Sequence, residues 1–330
     1  MRGLSLSKGI LISLKFKHSM NKLPPLFIQR LQQIIPAQFI PSVFETFTKN
    51  KILSVRLNTL RDRRENILSL LKDRGVEFKE IPWYPDALIV GNLTREQLGS
   101  LDFIGEGYVY RQSLSSMLAA LVLNPCPGER ILDLCSAPGS KTTQMASMMR
   151  NEGEIVCVEA VKNRFYKLKS VISLLGAGNV KVKLLDGRKF KDKELFDKIL
   201  VDAPCSCEGL FHGSFPESFA YWSLRKVKEM VQKQRGLLLN AARLLKESGT
   251  LVYSTCTFAP EENEGVIDWL LRKSKVKLRV VPVEWPKVAT YPAIMSWHGK
   301  TMNNAVQNCA RILPTDLMDG FFIAKMERFH

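Results

Sequence analysis

Two cysteines stand where thiols can do chemistry. Cys205 closes the run Phe196-Asp-Lys-Ile-Leu-Val-Asp-Ala-Pro-Cys205, and Cys256 follows Gly249-Thr-Leu-Val-Tyr-Ser-Thr255. Each apolar run reads as a strand, so each sulfur is expected just past a strand end. A thiolate is a strong nucleophile and can add to an electron-poor pyrimidine ring. A second thiol nearby could manage the adduct that the first one makes. Such a pair suits methylation of a ring carbon that is not nucleophilic by itself.

A second constellation lies upstream. The run Ile131-Leu-Asp-Leu134 ends in Cys135-Ser-Ala-Pro-Gly139-Ser-Lys141, a tight turn into a helix whose amino end can face an anion. The G-x-G-x-x-G fingerprint and the Walker loop are both absent, so a cofactor without phosphates suits the turn better than a dinucleotide. Asp133, Glu159 and Asp186 follow successive predicted strands. An acidic residue at the second strand end can bind a ribose diol, and one past the third can accept from an adenine amino group. The ordered set fits S-adenosylmethionine.

Other chemistries fit less well. Cys205 and Cys207 with Cys135 or Cys256 could be imagined around zinc, but paired C-x-x-C spacing is missing and the chain has only four histidines. No metal is therefore expected. A cysteine hydrolase would need His212 or His298 as its base, and nothing around either argues for that. Cys126, Cys157 and Cys309 read as small apolar fillers.

The elements that must position these residues follow from the hydrophobic pattern. Leu26 to Ile35 has helical spacing, and Ser42 to Phe47 could form a second short helix. Ile52 to Asn58 alternates like a half-buried strand, Arg63 to Asp73 reads as a helix stopped by Gly75, and two further strands follow, which makes a βαβ-type module. From Arg130 onward short β-rich runs alternate with helices, which predicts an α/β fold, a doubly wound Rossmann-like parallel sheet beside a small α+β amino-terminal domain. Gly320 to Met326 is expected as an antiparallel strand at the far end of the sheet. The expected boundaries are an extension over residues 1–22, a small RNA-binding domain with leading helices over 23–105, and a catalytic domain over 106–330.

Composition sets the class of partner. With 330 residues and 45% hydrophobic content the chain can bury a substantial core. Its 48 Lys and Arg against 32 Asp and Glu leave a net charge of +16, a field suited to RNA. No apolar run approaches the roughly 20 residues of a membrane span, and no membrane partner is expected. Seven scattered cysteines fit reduced thiols and a cytoplasmic location. Residues 1–44 lack acidic side chains, which admits a targeting segment up to His18; the alternative is a dispensable extension over residues 1–19 before a folded domain opening at Met20.

Taken together, these motifs resemble the Sun/RsmB-type RNA (cytosine-5)-methyltransferases. The resemblance is carried by Asp133-Leu-Cys-Ser-Ala-Pro-Gly-Ser-Lys-Thr142, Leu185-Asp-Gly-Arg188, the two cysteine segments, Glu261-Glu-Asn-Glu264 and Asp319-Gly-Phe-Phe322. It extends to Ser54-Val-Arg-Leu-Asn-Thr59 in the small domain. It implies a class I methyltransferase sheet in which Cys256 attacks carbon 6 of cytosine, Cys205 assists release of the methylated base, and Asp202 and Lys141 hold the base. Asp202, protonated or sharing a proton, would hydrogen-bond near ring nitrogen 3. The target must be unpaired or flipped out.

The resemblance further implies that S-adenosylmethionine contacts Cys135, Ser136, Ala137, Pro138, Gly139, Ser140, Lys141, Glu159, Arg164, Asp186 and Asp202, with Gln112 at the methionine end. Ser136, Ser140, Glu159 and the Cys207 to Pro216 loop depart from the usual pattern of the family. Nor does the chain continue into the carboxy-terminal RNA-binding domain of the RsmF-like branch. RNA contacts are expected instead on Arg56, Arg61, Arg63 and Arg64. The resulting expectation is a monomeric enzyme forming 5-methylcytosine in ribosomal RNA. Transfer RNA as the substrate and a catalytically silent RNA-binding assembly factor are the alternatives.

Overall fold

A computed structural model describes residues 23–283 and 288–330. The expected extension over residues 1–22 lies outside the described residues.

The small domain holds a four-stranded antiparallel sheet among the described residues. Its strands are β1 (Leu53–Leu57), β2 (Phe78–Ile81), β3 (Tyr84–Val90) and β4 (Val109–Arg111), in the order β2-β3-β1-β4. β1 and β2 run the same way with β3 between them, so the expected βαβ-type module is split by an inserted strand. The helix Arg64–Asp73 buries Ile67 and Leu71 against Val55, Leu57, Leu88 and Val90 on one face of this sheet. β1 differs from its expected half-buried state because Ser54 and Arg56, on its other face, are buried too. That second face lies against the larger domain, where Ile81, Tyr84 and Ala87 share a cluster with Leu114, Met117 and Leu118.

The larger sheet has nine strands among the described residues. β5 (Arg130–Asp133), β6 (Glu154–Glu159), β7 (Val180–Leu184), β8 (Phe196–Asp202) and β9 (Leu245–Thr255) are parallel, in the spatial order β7-β6-β5-β8-β9. The direction of strand addition reverses between β5 and β8, which creates the crevice where such sheets bind ligands. β10 (Leu278–Val281), β11 (Thr290–Tyr291), β14 (Ala310–Ile312) and β15 (Phe321–Arg328) complete the sheet antiparallel, and β12 (Ser296–Trp297) pairs separately with β13 (Lys300–Thr301). β15 is not at the far end as expected. It pairs with β9 on one side and with β14 and β10 on the other, so it is an interior strand, in keeping with its nearly continuous apolar sequence.

The helix Leu224–Leu244 shows how the sequence covers the sheet. Ser223 caps it by accepting from the Lys226 amide, and Val227, Met230, Val231, Leu237, Leu238 and Ala241 form its buried stripe. The two leading helices, Pro25–Ile34 and Ile40–Thr46, do not join the small sheet. Phe27, Leu31, Val43 and Phe44 pack instead with Phe211, Phe258, Tyr291 and Leu313 of the larger domain, where matching apolar surface is available. No helix among the described residues is long and apolar enough to cross a membrane.

Candidate active site

Parallel pairing of β8 with β9 aligns the two cysteine loops. Asp202 is in register with Ser254, and the Ala203 amide donates to the Ser254 carbonyl at 2.9 Å, so both loops leave the sheet side by side. Cys205 Sγ and Cys256 Sγ are 3.3 Å apart. The Gly209 amide donates to the Cys256 carbonyl at 2.8 Å. A Cβ on Gly209 would meet the Gly320 carbonyl oxygen at 2.2 Å, so this close approach of backbones excludes any side chain.

A buried polar network fixes the loops from beneath. Ser206 donates its amide to Glu262 at 3.0 Å, and its hydroxyl also bonds that carboxyl. Gln234 Nε2, on the helix Leu224–Leu244, bridges Glu262 at 2.8 Å and the Pro204 carbonyl at 2.9 Å. Glu208 accepts from Thr257 Oγ1 at 3.0 Å, the Phe258 amide at 3.1 Å and Trp222 Nε1 at 2.9 Å. Burial pushes the Glu262 carboxyl up to about 8, against the opposing pull of its Ser206 hydrogen bond. Arg311, fully buried and paired with Glu264, donates to the Phe258 carbonyl at 3.0 Å and so braces the chain after Cys256.

Lys141 and Asp202 form a unit beside the sulfurs. Lys141 Nζ donates to Asp202 Oδ2 at 2.7 Å and meets Ser116 Oγ at 2.9 Å, while Ser254 Oγ donates to Asp202 Oδ1 at 2.7 Å. Both Asp202 oxygens therefore accept, and one faces an ammonium. Phe321 lies under the ammonium at 5.7 Å.

The cofactor loop borders the same space. A cavity of about 800 Å³ is lined by Asp133, the Cys135 to Pro138 turn, Ser140, Lys141, Glu159, Arg164, Asp186, Asp202, Cys205, Cys207, Cys256 and Phe321. Gly139 lies behind the turn with φ +111°, and a Cβ there would sit 3.0 Å from Leu168, so this position needs glycine. Asp133 is buried and holds the turn by accepting from Thr142 Oγ1 at 2.7 Å and the Cys135 amide at 3.4 Å. Burial pushes its carboxyl up to about 6. Glu159 is 4% exposed yet opens on the cavity, and it accepts from the Val161 amide at 2.8 Å. Arg164 donates to the Ala137 carbonyl at 2.6 Å, which ties the turn to the helix Lys162–Leu175. Asp186 is gripped by Arg188, whose hydrogen bonds hold its carboxyl below the usual range.

The thiols share charge. Cys205 is pushed up by hydrogen bonds with Cys207 and Cys256 and by burial. Cys207 is drawn down by the same sulfur hydrogen bonds. For Cys256 the bond with Cys205 pulls down, but the bond with Cys207 and burial together push it up.

Arg56 cannot reach RNA, because it is fully buried between the domains, donating to Gln112 Oε1 at 2.9 Å and Thr143 Oγ1 at 2.8 Å. Gln112 is buried in the same network, with its amide on Gln144 Oε1 at 2.8 Å, and so does not face the cofactor cavity. Of the other arginines, Arg61 is exposed but caps helix carbonyls, reaching Leu174, and Arg64 pairs with Glu80. Arg63 is exposed, and among the described residues its guanidinium makes no ion pair or hydrogen bond. Cys126, read as a filler, is exposed.

Ser206, Ser254, Thr257 and Glu262 stand in the sequence only as parts of motifs, Glu208 only in the loop after Cys207, and Gln234 in no motif, so none of them is given a role by the sequence. Gln234 carried a usable signal, a polar residue inside the apolar stripe of an amphipathic helix.

Comparison with known proteins follows this geometry. A family model described as 16S rRNA methyltransferase RsmB/F matches residues 120–327, and one for the RsmF/B-like ferredoxin-like domain matches residues 23–94. The chain is 38% identical over 278 residues to tRNA (cytosine(49)-C(5))-methyltransferase of Pyrococcus abyssi, covering 83% of this chain and 88% of that one. It is 38% identical over 250 residues to ribosomal RNA small subunit methyltransferase F of a Shewanella species, covering 74% of this chain and 52% of the relative. The crystal structure of a methyltransferase homolog protein from Pyrococcus horikoshii matches with a TM-score of 0.75 and 28% identity, over 93% of this chain and 100% of that one. The expected class I methyltransferase fold is thus found, and the chain belongs to the RsmB/F methyltransferase family.

Proposed function

We propose that the protein is an S-adenosylmethionine-dependent RNA methyltransferase that forms 5-methylcytosine through a covalent cysteine adduct. The observation that carries this reading is the 3.3 Å separation of Cys205 and Cys256 sulfurs on the cavity that also holds Lys141 and Asp202. Cys256, the less buried of the two residues, adds as thiolate to carbon 6 of a flipped cytosine, which makes carbon 5 nucleophilic. The Lys141–Asp202 pair holds the base by a hydrogen bond near ring nitrogen 3 and stabilises the charge that develops there. S-adenosylmethionine, when bound, supplies an electrophilic methyl group. The buried Glu159 side chain and the Cys135 to Ser140 turn fit the ribose of a cofactor without phosphates, with Arg164 and Asp186 also on the cavity wall. After transfer a base takes the carbon 5 proton, Cys256 leaves, and Cys205 assists that release.

Ribosomal RNA is the proposed substrate. Transfer RNA is a second reading, favoured by the Pyrococcus relative, of which this chain covers 88%. Arg63 supplies a free cation for the RNA backbone on the small domain. The test incubates the purified protein and S-adenosylmethionine with unmodified ribosomal and transfer RNA, followed by bisulfite sequencing. New protected cytosines that vanish with Cys256→Ala support the reading. Protection that persists in that variant contradicts it.

A further inference from the structure

The proposed reaction uses two of three sulfurs that the loops gather. Cys207 Sγ is 3.9 Å from Cys205 Sγ, and the three sulfurs of Cys205, Cys207 and Cys256 all lie within 4.8 Å of one another. Cys207 also opens on the cavity. Its backbone has φ +58°, the left-handed region, which costs a residue with a side chain roughly 1–2 kcal/mol. Glycine would sit there without strain, so the loop bears a cost to hold a third thiol at this point.

The spacing matches a metal cage. Thiolates bound to zinc at about 2.3 Å lie about 3.8 Å apart in a tetrahedral site. The Cys205–Cys256 and Cys205–Cys207 sulfur separations, 3.3 and 3.9 Å, bracket that value, so small rotations about the Cα–Cβ bonds suffice. The fourth position would face the cavity, open to water. Tethering also helps, since the Ser206–Glu262 and Ser206–Thr257 bonds hold both loops in place before any ion arrives.

We propose that Cys205, Cys207 and Cys256 form a binding site for a soft divalent cation, zinc or cadmium, that reversibly withdraws both reactive thiols from catalysis. Each sulfur that binds as a thiol exchanges its S–H bond for a metal–sulfur bond and releases the proton to solvent, and a sulfur already ionised binds without releasing one. No electron is transferred, and a chelator reverses the step. Binding strengthens as pH rises, because protons compete for the sulfurs. Inhibition rests on the function proposed above, whereas ion binding does not.

The test titrates reduced, metal-free protein with cadmium and follows sulfur-to-cadmium charge-transfer absorption in the ultraviolet. One ion per chain is expected, removed by a chelator, and zinc bound beforehand should be displaced by cadmium. Cys207→Gly suits the left-handed backbone and should keep the loop intact while weakening binding by at least about 10–100-fold, since losing a ligand costs no less than losing an outer-shell partner. Stoichiometric zinc should stop methyl transfer in the wild type but not in Cys207→Gly, and chelation should restore it. Equal cadmium affinity in the variant, or no band at one equivalent in the wild type, overturns the proposal. The band reports on the sulfurs whether or not methylation occurs, so failure of the catalytic reading leaves this test intact.

Discussion

Ser206 Oγ lies 2.7 Å from Thr257 Oγ1, so the residue after Cys205 and the residue after Cys256 are joined by one buried hydrogen bond. Glu262 holds the same serine through its amide and its hydroxyl. The spacing of the sulfurs is thus set by neighbours rather than by the cysteines alone. Ser206→Ala removes one partner from both Glu262 and Thr257, and should destabilise the fold by about 1–3 kcal/mol. Urea unfolding checks this, and a change below about 0.5 kcal/mol would show that the bond is not a constraint.

Glu262 gives a pH dependence with a definite sign. Its folded value of about 8 exceeds the ordinary 4.5, so the folded state keeps a proton that the unfolded chain releases. The contribution of this group is fully present below about pH 4.5 and is lost as pH rises through about 8. Glu262→Gln cannot titrate. Its melting temperature relative to wild type should therefore climb between pH 5 and 8, and a constant difference across that range would contradict the assignment.

Arg56 and Arg63 should separate stability from RNA affinity. Arg56→Met leaves Gln112 Oε1 without its donor and should cost about 1–3 kcal/mol while the salt dependence of RNA binding stays unchanged. Arg63→Ala should leave stability alone and lower the slope of log affinity against log salt by about 1. Binding isotherms at several salt concentrations decide this. An Arg56 variant with the larger loss of slope would reverse the two roles.

The strand tips were legible because parallel strands buried on both faces write themselves as short apolar runs, and Asp133, Glu159, Asp202, Cys205 and Cys256 each end or follow one. Arg56 misled for a related reason. An arginine on the polar face of an alternating strand reads as solvent-facing, and only tertiary packing reveals that Leu114–Leu123 and Ser140–Met148 cover that face. The leading helices showed their apolar stripes, but not which surface would receive them. β15 was visible as a strand, as was the segment Lys277 to Val283 that holds β10, while the interior place of β15 depended on its pairing with β10 and with β14, a short segment with a weak pattern of its own. Glu208, Gln234 and Glu262 were hidden because a polar residue looks exposed until its partners, distant in sequence, are known.

Trapping the covalent adduct tests the central claim most directly. Wild type, Cys205→Ala and Cys256→Ala proteins are incubated with substrate RNA and S-adenosylmethionine, denatured, and resolved on a gel that separates free protein from protein joined to RNA. Cys205→Ala should accumulate a denaturation-resistant complex, because attack by Cys256 proceeds while release is impaired, and Cys256→Ala should form neither complex nor methylated product. Complex formation by Cys256→Ala, or its absence from Cys205→Ala in a preparation that binds RNA, would contradict the assignment of the two thiols.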